Sequence, residues 1–157
     1  MRKRLIKPST ESIRTRDESW LDVERAAVIE ITSEQTDCPI EAAFVSGNTN
    51  GWRAGEPGRQ TIRLVFDQPQ RLKCISLEFA EKEAVRTQEF VLRWSPDCGN
   101  SFREIVRQQW NFSPPESMRE VEKYRVELSG VTVLELVIVP DIADGPGRAS
   151  LKHFRLS

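Results

Sequence analysis

At 157 residues the chain has the size of one domain and is long enough to bury a core without disulfides or metals. Its 23 lysines and arginines against 24 aspartates and glutamates leave a net charge of −1, which excludes a long-range field drawing the whole molecule to nucleic acid or membrane. Cys38, Cys74 and Cys98 lie far apart with no Cys-x-x-Cys pair, so neither a disulfide framework nor a zinc ribbon is indicated and a reducing, cytoplasmic setting is expected.

Residues 1–19 are polar and charge-rich and read as a mobile N-terminal arm, with a basic opening but no apolar stretch behind it, as neither a secretory signal nor an anchor would have. No apolar run of roughly eighteen residues follows to span a membrane. Packing begins near Trp20-Leu21-Asp22-Val23, and 20–157 is expected to form a single domain.

From there the hydrophobic period is two, the mark of strands. Val28–Thr32 is the first candidate. Pro39–Phe44 fits a helical turn or a short strand equally well. Ile62, Leu64 and Phe66 form an alternating set that Pro69 should end, since proline cannot donate to the ladder, and Ile75, Leu77 and Phe79 repeat the pattern. Phe90, Leu92 and Trp94 lead into the turn Pro96-Asp97-Cys98-Gly99-Asn100, with a return strand from Phe102 to about Trp110. Tyr124, Val126 and Leu128 make another set. Val131 to Val139 is nearly all apolar, as a strand covered on both faces would be, and Ser150 to Leu156 closes the series. About eight strands with almost no helix predict an all-β fold: a two-sheet antiparallel β-sandwich of jelly-roll or Greek-key type.

Three segments in order carry a resemblance. Gly51-Trp52-Arg53-Ala54 is followed by the strand Gln60 to Phe66; next comes Gln70 to Leu77; then Phe90 to Ser95 runs through Pro96-Asp97-Cys98-Gly99 to Phe102. Together they resemble the galactose-binding-like β-sandwich superfamily, which includes discoidin or coagulation-factor C-type domains and many carbohydrate-binding modules. Cys98 stands where that family usually has glycine. The resemblance spans about residues 28–157 and implies a jelly-roll sandwich that binds sugars, lipids, proteins or nucleic acid through loops at one end.

No phosphate loop, dinucleotide fingerprint, nucleophile elbow or His-Glu-x-x-His is present, and His153 is the single histidine, so no enzymatic activity is expected. A glycosidase-like carboxylate pair would have to come from Glu78, Glu81, Glu89 or Glu104. The resemblance also implies a structural calcium near Ser46–Gly51. That loop has oxygen ligands but no carboxylate between Glu41 and Glu56, so strong calcium binding is not expected, and no other cofactor is.

The candidate ligand-binding residues are Asn48, Asn50, Trp52, Arg53, Arg59, Arg86 and Trp110. Arg53, Arg59 and Arg86 are expected in loops, where guanidinium forks suit sugar hydroxyls or acidic partners. Trp52 resembles the family's packed tryptophan. Trp110, before Ser113-Pro114-Pro115, is the freest aromatic, at an expected strand exit.

The first expectation is therefore a cytoplasmic, bacterial-type, non-catalytic module recognising a carbohydrate-like ligand. The alternative is a protein-interaction or scaffold domain using Gln108 to Tyr124. Nucleic-acid binding is disfavoured unless folding gathers the arginines at 59, 63, 86, 93, 103 and 107 on one face, and no membrane partner is expected.

Overall fold

The computed structural model describes residues 20–45, 47 and 50–157, so the arm at 1–19 and Ser46, Asn48 and Thr49 lie outside the described residues. In chain order a single helical turn, α1 (Val23–Ala26), precedes β1 (Ala27–Ile31) and a 3-10 turn (Ile40–Ala43). There follow β2 (Trp52–Arg53), β3 (Gln60–Ala80), β4 (Arg86–Ser95), β5 (Arg103–Phe112), β6 (Arg119–Val139), β7 (Ser150–Leu151) and β8 (His153–Leu156). The ambiguous Pro39–Phe44 segment thus resolves as a helical turn.

Two long strands replace four expected ones. β3 runs through Pro69 rather than stopping at it, and β6 joins the Tyr124 and Val131 sets through Gly130. Both breaks fall at a corner. The β3–β6 register shifts between Val65 and Cys74, where ladder bonds are already lost, so a proline without an N–H and a glycine at φ 70° cost little there.

Beyond the corner the same two strands continue in a second layer. The first layer is β1, β3 (60–66), β6 (131–139), β4 and β5; the second is β8, β3 (72–80) and β6 (119–128), all antiparallel. The layers face each other: Phe79 of the second stacks on Phe90 of the first, with ring centroids 5.2 Å apart.

The core follows from the alternation. Ile62, Leu64, Phe90, Leu92, Leu134, Leu136 and Ile138 from one layer meet Leu72, Ile75, Leu77, Phe79, Phe154 and Leu156 from the other, all essentially inaccessible. At roughly 1.5–3 kcal/mol per buried large apolar side chain, this face is the main source of stability.

β6 in the first layer is buried on both faces, as the near-continuous apolar run Val131–Val139 implied: Leu134, Leu136 and Ile138 are inaccessible on its inward side, and Val133, Glu135 and Val137 are buried on its outward side. The outward side lies under an ion-pair ladder. Glu135, 1% exposed, takes Arg63 at 2.7 Å and Arg93 at 2.5 Å from the flanking strands, and Arg63 also reaches Glu30 at 3.5 Å. Burial alone would raise the Glu135 carboxyl, but hydrogen bonds from Arg93 and Arg63 outweigh it and hold the group below the usual carboxylate range.

At the β4–β5 hairpin Asp97 organises the turn, accepting from Ser95 and Ser101 hydroxyls at 2.7 and 2.6 Å and from the Ser101 N–H at 2.8 Å. Bonds from Ser101 and then Ser95 carry its pKa down to about 2. Cys98, in the position the family gives to glycine, is forced to φ 60°. A β-carbon there is penalised by about 1 kcal/mol or more. Cys98→Gly should therefore stabilise the fold by up to about 1 kcal/mol after the added chain entropy of glycine, seen as a slightly higher melting temperature, and a drop on thermal melting would contradict that strain.

One carboxyl interrupts the core. Glu120 pairs with Phe79, is fully inaccessible, and accepts from Gln88 Nε2 at 3.1 Å across the sandwich, while its Oε2 has no partner among the described residues. Burial, helped by the charge of Glu122 and opposed by Gln88 and Arg86, pushes its pKa up to about 7 from an ordinary 4.5. Between those two values the folded chain holds a proton that the unfolded chain releases, so this group's contribution to stability falls as pH rises across that window and levels off above it. Glu120→Gln keeps the acceptor for Gln88 and should remove the slope. Thermal melts at pH 5 and pH 8 should show the variant gaining on the parent at the higher pH, whereas parallel curves would rule out a proton on Glu120.

Candidate functional site

The loops linking β1 to β3, β3 to β4, β5 to β6 and β6 to β7 all emerge at the same end of the sandwich, because Ile31, Gln60, Ala80, Phe112 and Val139 end or begin their strands there.

One wall is set by Gly51-Trp52-Arg53-Ala54-Gly55. β2 pairs with β7, Trp52 opposite Leu151 and Arg53 opposite Ser150. Alternation buries Trp52 completely, its Nε1 donating to Ser33 O at 3.0 Å, and turns Arg53 outward. Gly51 has φ 69°, and a β-carbon there would collide with the Leu151 carbonyl oxygen, so only glycine allows this approach. The main chain of Arg53 is held on both sides: its N–H donates to Cys38 O at 3.2 Å and its carbonyl accepts from the Gln35 N–H at 2.9 Å. Arg148 fastens the next turn through Gly55 O at 2.6 Å.

The facing wall is the β3–β4 connection, Glu81-Lys82-Glu83. Glu81 is its anchor. Its Oε1 accepts from Arg86 Nε at 2.6 Å and its Oε2 from the N–H groups of Glu83 and Ala84 at 3.1 and 3.3 Å. Burial would raise the Glu81 carboxyl, yet these bonds, Arg86 first, hold it below the usual range. Lys82 and Glu83, exposed, are displayed by this turn. Ser150 Oγ donates to Ala80 O at 2.7 Å and joins the two walls.

Between them lies an open depression of about 220 Å³ lined by Asn50, Arg53, Lys82, Glu83, Cys38 and Ser150, with Ala80 and Glu81 beneath. Guanidinium and ammonium groups donate, the Glu83 carboxylate accepts, and the Asn50 amide and Ser150 hydroxyl do both. No aromatic ring lines it.

The structure thus unites Asn50 and Arg53 of the residues picked from sequence and separates the others. Trp52 is inaccessible and belongs to the core. Arg86 is not in a loop but opens β4 at 4% exposure, its Nη1 donating to Pro140 O at 2.7 Å and its guanidinium lying 4.6 Å from the Phe112 ring centroid. A guanidinium so buried is out of a ligand's reach, although its Nη2 has no partner among the described residues. Trp110 is not at a strand exit: β5 continues to Phe112, and Trp110, opposite Gln88, packs its half-buried ring on the core. Arg59 lines a different depression, over the outer face of the first layer with Glu89, Arg93, Phe102 and Arg107. Asn48 lies outside the described residues, as do Ser46 and Thr49 of the loop where the resemblance implied a calcium that its lack of carboxylates made doubtful. Among the described residues no three metal-ligating side chains gather.

Sequence reasoning missed Lys82 and Glu83. They come from thirty residues further along the chain, and a charged turn gives no sign of what faces it. The carboxylates weighed for acid–base work each hold a cation instead: Glu78 with Arg119 at 3.1 Å, Glu81 with Arg86, and Glu89 and Glu104 both with Arg107 at 2.6 and 3.0 Å. His153 sits on β8 opposite Glu78, where burial, with Arg155 adding, keeps its imidazole below the usual range.

No family model matches the chain, and no curated protein matches it by sequence. Solved structures do. The family 32 carbohydrate-binding module of NanJ from Clostridium perfringens, in complex with galactose, superposes with a TM-score of 0.63 at 11% identity, covering 87% of this chain and 96% of that one. Another CBM32 module from Clostridium perfringens, in complex with GalNAc-β-1,3-galactose, gives 0.59 at 19% identity, covering 88% and 99%. The CBM32 of AlyQ, in complex with 4,5-unsaturated mannuronic acid, gives 0.60 at 13% identity, covering 88% and 97%. At such identities the likeness speaks for architecture, and the chain has the fold of the galactose-binding-like, discoidin-like β-sandwich.

Proposed function

We propose that the chain is a non-catalytic carbohydrate-binding module working in the cytoplasm, with the loop-end depression as its sugar site. The observation that carries the reading is the meeting of Arg53, Lys82, Asn50 and Glu83 around that depression. A sugar hydroxyl both donates and accepts, so its site needs both kinds of partner within reach, and this one supplies them. None of the four side chains is tied up in an ion pair among the described residues, unlike Arg86 or Arg107.

The size fits a small ligand. About 220 Å³ is below the ~300–1,000 Å³ usual for drug-sized molecules, which favours one ring or a chain end over an extended polymer. Without an aromatic platform, binding rests on hydrogen bonds, and charge-assisted ones from Arg53 and Lys82 contribute most. The fold's solved relatives holding galactose, GalNAc-β-1,3-galactose and an unsaturated uronic acid support the same class of ligand.

A second reading, a protein-interaction domain, draws on the same end. Val85, Ile142 and Met118 are 77%, 48% and 41% exposed on three neighbouring loops, joined by main-chain bonds from the Ile142 N–H to Thr87 O and from the Glu81 N–H to Met118 O. Apolar side chains displayed together are a feature of contact surfaces.

A glycan array probed with the full chain, with and without calcium, should return a reproducible hit. Arg53→Ala and Lys82→Ala should each weaken binding of that glycan by about 1.5–3 kcal/mol in titration calorimetry while leaving the melting temperature unchanged. A blank array, with partner capture from lysate lost on Val85→Asp, would replace the sugar reading with the interaction reading.

A further inference from the structure

The outer faces of the two layers are charged in different ways. On the first layer Arg63, Arg93 and Arg107 are each held by carboxylates. On the second, Ile75 and Tyr124 form the inward row, so the neighbouring rows point outward. One outward row is Arg155, Ser76 and Lys123 across β8, β3 and β6, and the next carries Cys74 and Arg125. Arg71 and Lys73 extend it at the corner.

None of Arg71, Lys73, Lys123, Arg125 or Arg155 makes an ion pair among the described residues, whereas Arg119 and Lys152, further along the same face, share Glu78. A groove of about 630 Å³ runs over four of these, Arg71, Lys73, Lys123 and Arg125, with Trp20, Glu127 and Ser157 also lining it. The 19 residues leading into Trp20 add six basic residues against three acidic ones.

Lysine and arginine heads only donate. A neutral sugar, whose hydroxyls also donate, is poorly matched to such a surface. A phosphodiester backbone, which accepts at every unit and carries one charge per unit, matches it, and the Trp20 indole at the rim offers a face on which a base can stack. We infer that this face binds single-stranded nucleic acid, its backbone following Lys123, Arg125, Arg71 and Lys73 and a base resting on Trp20. The arginines that the sequence brought forward are not the ones involved, and this surface is independent of the sugar site.

The test uses the full chain and a fluorescein-labelled oligothymidylate of about 20 nucleotides, followed by anisotropy from about 50 to 200 mM salt. Binding should weaken with salt with a log–log slope of about −3, as four neutralised phosphates require at ~0.7 each. Lys123→Ala with Arg125→Ala should weaken binding about tenfold or more and flatten the slope by about 1.4. Trp20→Leu should weaken it about tenfold with the slope kept. Arg59→Ala, on the other layer, should change neither, and melting curves should confirm that each variant is folded. The inference is overturned if the oligonucleotide does not bind at the lowest salt, if the double variant binds like the parent, or if a heparin oligosaccharide or phosphatidylserine vesicles bind ahead of it.

Discussion

The pairing of β3 with β6 runs antiparallel from Gln60 opposite Ile138 to Ala80 opposite Arg119, and every other strand of the six-stranded sheet hangs on it. β1 and β8 attach to the two halves of β3, β4 attaches to β6, and β5 attaches to β4. Because the same two backbones pass through both layers, the layers are placed by main-chain hydrogen bonds as well as by contact across the core. The candidate sugar site inherits that placement. Its Glu81-Lys82-Glu83 wall continues directly from β3. Its Arg53 wall is tied through β7 to the same strand, by Ser150 Oγ to Ala80 O and by the Lys152 N–H to Glu78 O at 2.7 Å.

What the sequence showed of this fold was its period. Inward residues such as Ile62, Leu64 and Phe66, or Phe90, Leu92 and Trp94, are apolar whatever they face, so alternation alone located the strands and the hairpin at Asp97. Continuity through Pro69 and Gly130 was hidden, because a corner between layers and a turn between strands both lose ladder bonds and so take the same residues. Arg53 was readable from its place beside Gly51 and Trp52. Arg86 was misread: its surroundings, from Glu81 to Val85, are those of a solvated loop, and its burial depends on the Pro140 carbonyl 54 residues away as well as on Glu81. Trp110 was misread for a related reason. Gln108 occupies the inward position before it, opposite Phe90, and breaks the apolar alternation that would have marked the strand as continuing.

Charge counted along a chain has the same blind spot. Arg63, Glu135 and Arg93 are far apart in sequence but form one row across β3, β6 and β4, so register makes them a bridge. Arg103 likewise lies 5.2 Å from the Trp94 ring centroid, and Arg93 4.3 Å from that of Phe102. Arginines that look like a set for gripping a polyanion are thereby engaged within the protein. In the second layer the partners brought opposite Lys123 and Arg125 are Ser76 and Cys74, which cannot neutralise them, and like charges on adjacent rows repel. A net charge of −1 thus conceals one face whose arginines are paired and a stretch of the other whose cations are not.

The geometry also separates the two proposed surfaces. The loop depression lies beyond Ala80 and the basic groove beside Arg71 and Lys73, at opposite ends of the second half of β3. At about 3.3 Å per residue the eight steps from Leu72 to Ala80 span about 26 Å. That is more than a Debye length at physiological salt, so the cations of the groove exert little pull on a ligand at the depression. A small sugar, which meets donors and acceptors in a confined hollow, and a polyanion, which follows unpaired lysines and arginines along an open sheet, would therefore occupy the domain together without competing. What joins them is mechanical: both sit on β3, and the ladder with β6 holds each in place.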